Sequence, residues 1–461
     1  MITYIKIDGF KSFHNFEMEF TPLTVIAGAN AAGKSNLFDA FKLLSTVAGT
    51  DKIQREFNRQ RGELLELFTR YDDQSIAEDM SFIVEMLVDR TVFDAWGAKE
   101  TLKYTRLRYE LKLHRFTNAI GMQDVEVSFE KLETIKHEQD HWLKILPKET
   151  ADFWRPKVIT GRRQTPYIDT SNYNGIQTTV VSQDGSQGKK RLFPLNHASR
   201  TVLSSFDSVD FKHILAAKKE MMSWRFLQLN PEDLRTPTSK TRGEDVIDET
   251  GKNIAAALYR IKQEDPYHLR EISRSLHSFL PSFVKADVVD DIENKQYIVV
   301  LQDVDGKEYS SRVLSEGTLR ILTLLVLRQD DRHRGLLCFE EPENGIHPFR
   351  IKMMATLLKG LTTDFMDIES PLRQIIINTH SSVFVRCIHE ALSEDSCTTI
   401  GFAQMVHSSL NTPLGKKKLL ASKIVCVPKG AGRQGDLFSP QEKMSLQMIQ
   451  DYLEAKDSES L

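Results

Sequence analysis

Three short segments of the 461-residue sequence carry residues suited to phosphate chemistry. The first is GANAAGKS at positions 28–35, which follows the apolar run Leu23–Ala27 and precedes a helical pattern over 36–44. Its glycines permit a tight loop whose backbone N–H groups face an anion. Lys34 would then reach the β and γ phosphates of a nucleotide, and the Ser35 hydroxyl would ligate Mg²⁺. Strand, loop and helix occur in the order that such a phosphate site needs.

Two consecutive carboxylates, Glu340 and Glu341, end the second apolar run, residues 336–339. A run this short is typical of a buried central strand. Successive side chains on a regular strand point to opposite sides, so the two carboxylates are expected to have different tasks. One could face the shell of a Mg²⁺ ion, while the other could polarise an attacking water.

The third segment is LSEGT at 314–318, and a histidine lies further along the chain. Ser315 can cap the helix predicted for 318–328, whose free N–H groups and positive dipole end suit an anion. Helix capping without any ligand is the alternative interpretation. His380 follows another buried-strand pattern, 374–378, and a neutral imidazole there could donate a hydrogen bond to a γ phosphate.

With Asn36 after the first loop and the NTHS segment at 378–381, these motifs resemble the ABC-type ATPases of the RecF and SMC group. More narrowly, they resemble stand-alone prokaryotic ATPases related to the OLD family and to PtuA-like or PARIS-type defence ATPases. The resemblance covers residues 1–45 and 250–385 and is looser between them. It implies an α/β fold, an ABC-type (RecF/SMC-like) P-loop ATPase with an antiparallel β lobe, a parallel-sheet core and a compact helical insertion.

The resemblance also assigns roles at a site for ATP and Mg²⁺. Glu341 and His380 would be catalytic, as the residue that activates water and the switch histidine. Ser35 and Glu340 would bind the metal. The signature segment, LSEGT at 314–318, would reach the γ phosphate held by the opposite subunit. Glu316 stands where ABC signatures usually carry glycine. The residues predicted to bind the nucleotide are Gly28, Asn30, Gly33, Lys34, Ser35, Asn36, Ser315 and Gly317.

Two further family features stay open at the sequence level. The glutamine that couples Mg²⁺ to the lobe interface could be Gln60 or Gln74, but either residue could simply be exposed on the surface. Residues 344–347 could form the D-loop that crosses a dimer interface. A local turn fixed by Gly345 and Pro348 is the competing interpretation.

The periodicity divides the chain into four predicted regions. An N-terminal ATPase lobe with antiparallel strands occupies 1–140, and a compact insertion with a hairpin near Asp184 and a helix within 208–229 occupies 141–250. A C-terminal ATPase lobe covers 251–390, with a second hairpin at Asp305-Gly306. A strand and helix extension covers 391–461. No heptad pattern persists long enough to predict a coiled-coil arm.

Cationic residues are balanced by acids over the whole sequence. Lys and Arg total 61 against 64 acidic residues, a formal charge of −3, so any DNA contact must come from a local patch. One candidate is a strand face with Arg106, Arg108, Lys112 and His114, but Glu110 interrupts its charge, which favours a solvated sheet face over a DNA contact. Another is 416–418, three lysines predicted to lie in a loop.

The cysteines and the hydropathy of the sequence indicate the cellular environment of the protein. The four cysteines lack the spacing of a zinc site, which favours a reduced, cytoplasmic protein. No apolar run approaches the roughly 20 residues that cross a bilayer, so no membrane contact is expected.

The predicted function is therefore an ATPase that works by ATP-dependent dimerisation. Its partners would be a second copy of itself and a separate nuclease or toxin that it controls in bacterial defence against phage, with DNA as a further partner to be tested. One alternative is an accessory ATPase of DNA repair or recombination that clamps DNA directly. The other is an ATP-gated scaffold or toxin inhibitor that does not hydrolyse ATP.

Overall fold

Two large β-sheets organise the chain. The structure is a computed structural model and describes residues 1–158, 165–184, 190–240, 243–392, 395–412 and 415–426. The strands are β1 (Ile2–Asp8), β2 (Phe16–Glu19), β3 (Leu23–Ala27), β4 (Asp79–Leu87), β5 (Thr91–Phe93), β6 (Lys99–Thr101), β7 (Arg106–Thr117), β8 (Gln123–Thr134), β9 (Ile168–Tyr173), β10 (Ile176–Ser182), β11 (Lys190–Pro194), β12 (Arg225–Leu227), β13 (Thr238–Ser239), β14 (Phe283–Asp291), β15 (Gln296–Asp303), β16 (Glu308–Ser310), β17 (Gly335–Glu340), β18 (Arg373–Thr379), β19 (Thr398–Thr412) and β20 (Gly415–Cys426).

Short helices connect and cover the sheets. None described exceeds 14 residues, so the described chain contains no long coiled-coil arm, in agreement with the missing heptads. Nor is any helix in those residues long and apolar enough to cross a membrane. The α-helices are α1 (Lys34–Val47), α2 (Ile53–Phe57), α3 (Ala151–Trp154), α4 (Lys212–Met222), α5 (Pro231–Arg235), α6 (Ile254–Glu264), α7 (Pro266–Phe279), α8 (Glu316–Gln329), α9 (Pro348–Lys359) and α10 (Ser382–Leu392).

The first sheet is antiparallel and has eight strands in the order β11-β10-β9-β8-β7-β4-β1-β2. Its strands form because apolar side chains alternate with polar ones, so that one face can be buried. On β7 the buried apolar positions are Leu107, Tyr109, Leu111 and Leu113. The antiparallel lobe predicted from this alternation is confirmed.

The second sheet has the order β12-β17-β18-β3-β19-β20, and only its last pair, β19 and β20, is antiparallel. Its central strands β17, β18 and β3 are buried almost throughout. This burial explains their continuous apolar runs, since helices or sheet cover both faces. Because β17, β18 and β3 are parallel neighbours, their carboxyl ends lie at one edge of the sheet.

Residues of these central strands alternate between two hydrophobic cores. Cys338 and Ile376 pack in the core with α1, α4 and the antiparallel sheet. Phe339 and Ile377 pack on the opposite side, in the core with α6 to α10 and the strands β14 and β15. The parallel sheet is therefore the central layer that both halves of the chain share.

The middle and end of the chain add to both sheets. The predicted insertion, 141–250, contains the predicted helix as α4 and the predicted hairpin as β10 and β11, whose connection at 185–189 lies outside the described residues. Strands β9 to β11 continue the antiparallel sheet, and β12 joins the parallel sheet, so where a domain boundary falls stays a prediction. The hairpin at Asp305-Gly306 is confirmed by the pairing of β15 with β16. The strand and helix extension predicted for 391–461 is described only to Cys426, so its helix, expected at 441–455, lies outside the described residues.

The cationic faces predicted for DNA contact are largely paired with acids. Arg106 is 1% exposed and donates to Asp140, so it belongs to a buried ion pair rather than to a DNA-facing surface. The lysines at 416–418 lie in strand β20, not in a loop, because this strand pairs with β19, and Lys417 forms an ion pair with Asp73. The remaining pairs on β7 are Arg108 with Glu85 and Glu110, and His114 with Asp79.

Candidate nucleotide site

The glycine-rich loop joins β3 to α1, as its sequence predicts. Strand β3 ends at Ala27, residues 28–33 form the loop, and α1 begins at Lys34. Gly33 has φ 84°, in the left-handed region, and a side chain there would collide with Ser422 of β20. Glycine is thus required at this position by both its backbone angle and its close neighbour.

Lys34 is held inside this loop. Its Nζ donates to the backbone oxygens of Gly28, at 2.7 Å, and Ala29, at 2.8 Å. Burial lowers the pKa of Lys34, whereas the charges of Glu341 and Glu340 act in the opposite direction. The two acids and the lysine therefore share one electrostatic environment, which is the arrangement that a phosphate and metal site needs.

Oxygen atoms suited to Mg²⁺ gather around Ser35. Ser35 hydrogen-bonds to Glu340, and the amide Nδ2 of Asn378 lies 3.4 Å from its Oγ. The Oδ1 of Asn378 is buried and has no hydrogen-bond partner. Burial raises the pKa of Glu340, and the nearby carboxylate of Asp39 adds to this shift.

These residues fit a magnesium ion that also binds phosphate. Mg²⁺ prefers oxygen ligands and takes few from protein when a phosphate and water supply the rest. The described residues contain no group of three or more His, Cys, Asp and Glu that could hold a metal by itself. The unpartnered oxygen of Asn378 offers a hydrogen-bond acceptor to a metal-bound water.

Glu341 turns away from the strand that carries Glu340. Strand β17 ends at Glu340, and Glu341 has φ 47°, so the regular alternation of a strand stops between the two carboxylates. The Oε1 of Glu341 lies 2.6 Å from Nδ1 of His380, and its Oε2 accepts from Asn344 at 2.7 Å. The side chains of Glu341 and His380 are 38% and 42% exposed, so solvent water reaches them.

The signature segment lies elsewhere in the chain. Ser315 caps α8, accepting a hydrogen bond from the Thr318 N–H at 3.3 Å, and it is exposed. Gly317 packs so closely on Gly345 that any side chain would overlap the Gly345 backbone oxygen. Thus Lys34, Ser35, Glu340, Glu341 and His380 come together, whereas Gly317 packs on the 344–347 turn of its own chain and Ser315 caps α8.

This turn itself has a clear local cause. Gly345 has φ 70°, Pro348 is the first residue of α9, and His347 caps that helix by accepting from the Phe349 N–H at 3.4 Å. These features support the local-turn interpretation. A role in crossing a dimer interface stays a prediction.

The other predicted residues have varied surroundings. Asn36 donates from its amide to Ser12 at 2.8 Å, and Asn30 is exposed on the loop. Gln60 is buried, at 8% exposure, whereas Gln74 is exposed in a turn. Burial of Gln60 argues against its being a plain surface residue, but its coupling role stays a prediction.

Two residues of the site, Asn378 and Glu343, received no role from the sequence. Asn378 begins the NTHS segment at 378–381, and Glu343 ends EEPE at 340–343, the segment that opens with Glu340 and Glu341; these were the available signals. Spacing in the sequence alone does not reveal side-chain contacts between the ends of different strands. Asn378 contacts Ser35, and Glu343 contacts Thr379, in this way.

The fold and the site define a P-loop protein of the ATPase class. The sequence pattern of the AAA ATPase domain family matches residues 1–385, and the chain belongs to that family. A comparison with curated proteins found no match.

Solved structures of SMC heads are similar in fold. The crystal structure of the SmcHead bound to the C-winged helix domain of ScpA has a TM-score of 0.50 and 13% identity, covering 92% of this chain and 98% of that one. The Smc head domain from Pyrococcus furiosus, with an extended coiled coil and bound to the C-terminal domain of ScpA, has a TM-score of 0.43 and 12% identity, with 99% of each chain covered. The SMC head domain from Thermotoga maritima has a TM-score of 0.37 and 11% identity, covering 93% and 99%. The first similarity supports the mixed α/β fold.

Proposed function

We propose that this protein hydrolyses ATP at composite sites formed between two copies of the chain. The observation that carries the proposal is the 2.6 Å contact between Glu341 Oε1 and His380 Nδ1, at the ends of β17 and β18 and beside the loop that holds Lys34. A carboxylate positioned by an imidazole, partly open to solvent and close to a phosphate-binding lysine, is a suitable base for an attacking water.

Each residue has a distinct task in this proposal. Lys34 binds the β and γ phosphates through its ammonium group, and the loop N–H groups hold the same anion. Ser35 and Glu340 hold a Mg²⁺ ion, which neutralises phosphate charge when it is bound. Glu341 accepts a proton from the attacking water, and His380 orients the Glu341 carboxylate through Nδ1.

A second copy would complete the site. The N-terminus of α8 presents Ser315 and a positive dipole end to solvent. Apolar side chains lie next to the signature and next to the turn on which it packs, since Val313 is 69% exposed and Phe349 is 89% exposed. Exposed apolar groups beside a helix N-terminus suited to an anion support ATP-dependent self-association.

The biological output we propose is control of a separate nuclease or toxin in defence against phage. Its support is the resemblance of the sequence motifs to defence ATPases. Direct clamping of DNA receives less support, because most cations of the β7 face are paired with acids.

Replacing Glu341 by glutamine tests the hydrolytic mechanism. Glu341→Gln removes the base and keeps the binding groups, so we expect turnover at least about 100-fold slower. ATP binding is retained, and a dimer accumulates with ATP but not with ADP. Phosphate release measures the turnover, and light scattering after size exclusion measures the dimer. Glu369→Gln, at an exposed position, is the matched control. Normal turnover by Glu341→Gln would remove Glu341 as the base.

The same variant tests the biological output. Glu341→Gln captured from its native host with ATP present would retain the partners of the closed state. A stoichiometric nuclease or toxin supports the proposed control of an effector. DNA alone would replace it with the direct DNA clamp.

A further inference from the structure

Glu343 is a buried carboxyl close to the proposed base. It is 7% exposed, and its Oε1 accepts a hydrogen bond from the hydroxyl of Thr379. Its other oxygen, Oε2, is buried without a hydrogen-bond partner. A buried polar atom without a hydrogen-bond partner is unfavourable, so this carboxyl is an unusual choice for a purely structural position.

Thr379 connects this carboxyl to the histidine that follows it. The Thr379 Oγ1 also accepts from the backbone N–H of Ser381 at 2.9 Å. Ser381 in turn accepts from the Phe384 N–H at the start of α10. The residues on both sides of His380 are thus fixed to one hydroxyl, and that hydroxyl is fixed to Glu343.

The same short segment after β17 carries Glu341 and Glu343. It is joined to the end of β18 by two bonds, from the Glu341 N–H to the Asn378 backbone oxygen at 2.9 Å and from Thr379 to Glu343. The first bond fixes the backbone of the base, and the second fixes the backbone next to His380. Together they hold the Glu341 and His380 side chains at contact distance.

The surroundings of Glu343 oppose its ionisation. Burial raises the pKa of Glu343, and the nearby Glu341 carboxylate raises it further, while the hydrogen bond from Thr379 opposes the shift. The hydrogen bond from Thr379 needs only an acceptor oxygen on the side chain of residue 343. An uncharged amide of the same shape should therefore serve equally well.

We infer that Glu343 is a positioning residue that holds His380 against Glu341 through Thr379, an inference that rests on the proposed hydrolysis of ATP. Glu343 needs no contact with the nucleotide for this task. Loss of the Glu343 carboxyl should therefore lower kcat. It should leave ATP affinity unchanged, since the nucleotide-binding residues Lys34 and Ser35 lie on a different segment.

Four variants test the anchor in the full chain. Glu343→Ala and Thr379→Val remove one partner each, and we expect kcat to fall at least about tenfold because the reacting groups are displaced. The KM for ATP should stay within about twofold, as uniform binding is unaffected. Glu343→Gln and Thr379→Ser keep the hydrogen bond and are the matched controls, with kcat within about threefold of wild type. They also keep the test possible if Glu343→Ala does not fold.

Combining the substitutions at Glu343 and Thr379 shows whether the two residues act through one shared contact or through separate structural effects. The double variant Glu343→Ala with Thr379→Val should lose no more activity than either single variant, because both remove one contact. Unchanged kcat in folded Glu343→Ala, or full activity in Thr379→Val, would overturn the inference. So would a loss in Glu343→Gln equal to that in Glu343→Ala.

The His380 ring signals in an NMR spectrum give a readout that does not depend on turnover. They should broaden in Glu343→Ala and Thr379→Val and stay sharp in the two controls. If the wild-type protein did not hydrolyse ATP, the proposed function would fall. The ring signals would then decide by themselves whether Glu343 anchors His380, and unchanged signals would reject the anchor.

Discussion

Nucleotide affinity should depend most directly on Lys34. We expect Lys34→Ala to bind ATP about 10–100-fold more weakly, since hydrogen bonds to charged groups contribute roughly 1.5–3 kcal/mol. Titration calorimetry measures this change. Lys42→Ala is the matched control, because Lys42 lies on the same helix and forms an exposed ion pair with Glu249. An affinity for ATP within threefold of wild type would contradict the phosphate-loop assignment.

The sequence predicts individual residues well where a motif fixes their backbone. Lys34, Glu340 and His380 each follow a buried strand, and parallel neighbouring strands bring such residues together. The partners of a side chain are not predicted in this way, because they depend on contacts that spacing in the sequence does not encode. Arg106 pairs with Asp140, 34 positions away, and a strand face that looked cationic is therefore largely neutralised.

The start of α8 has two separable tasks, a cap for its own helix and a proposed anion site for a partner. Ser315→Asp keeps the cap, since aspartate is an equally good N-cap residue. It also places a negative charge where the partner's γ phosphate would lie. We expect ATP-dependent dimerisation in the Glu341→Gln background to weaken at least about tenfold, because like charges there are unfavourable.

The melting temperature separates these two tasks. Ser315→Asp should melt within a few degrees of wild type, because its helix cap is intact. Ser315→Asn, which caps without a charge, is the control and should dimerise better than Ser315→Asp. Equal dimerisation of Ser315→Asp and wild type would mean that Ser315 only caps α8.

Elements with a strong local signal were predictable, and elements defined by distant pairing were not. The β3 strand, α1 and the α7 helix follow directly from apolar runs, periodicity and helix-start residues. Strands β9 to β11 were harder to place, because an edge strand carries no local information about which sheet it continues. The need for Gly33 is also partly distant, since Ser422 of β20 occupies the space of a side chain.

At the scale of the whole molecule, the residues of the proposed nucleotide site lie in two separate places. Loop, acids and histidine meet at the edge formed by β3, β17 and β18, whereas α8 presents Ser315 to solvent. The signature nevertheless touches the turn that follows the acids, through Gly317 and Gly345. A second copy bound at Ser315 would therefore be connected, through the contact of Gly317 with Gly345, to the segment that also carries Glu341.

Phe349 offers a test of the surface that this second copy would cover. Its ring is 89% exposed, stacks on His347 and lies at the start of α9, next to the turn packed against Gly317. Burial of such a side chain contributes roughly 1.5–3 kcal/mol. We expect Phe349→Asp in the Glu341→Gln background to weaken ATP-dependent dimerisation at least about tenfold, as measured by analytical ultracentrifugation.

ATP affinity of the monomer provides the internal comparison, because Phe349 lies outside the Lys34 loop and should leave it unchanged. Trp96→Asp is the matched surface control, since Trp96 is 79% exposed in the turn between β5 and β6, away from the signature. Its dimerisation should equal that of the Glu341→Gln parent. If Phe349→Asp dimerised normally with ATP, the closed state would have to use a surface other than the one beside α8, and the composite site would lose its main geometric support.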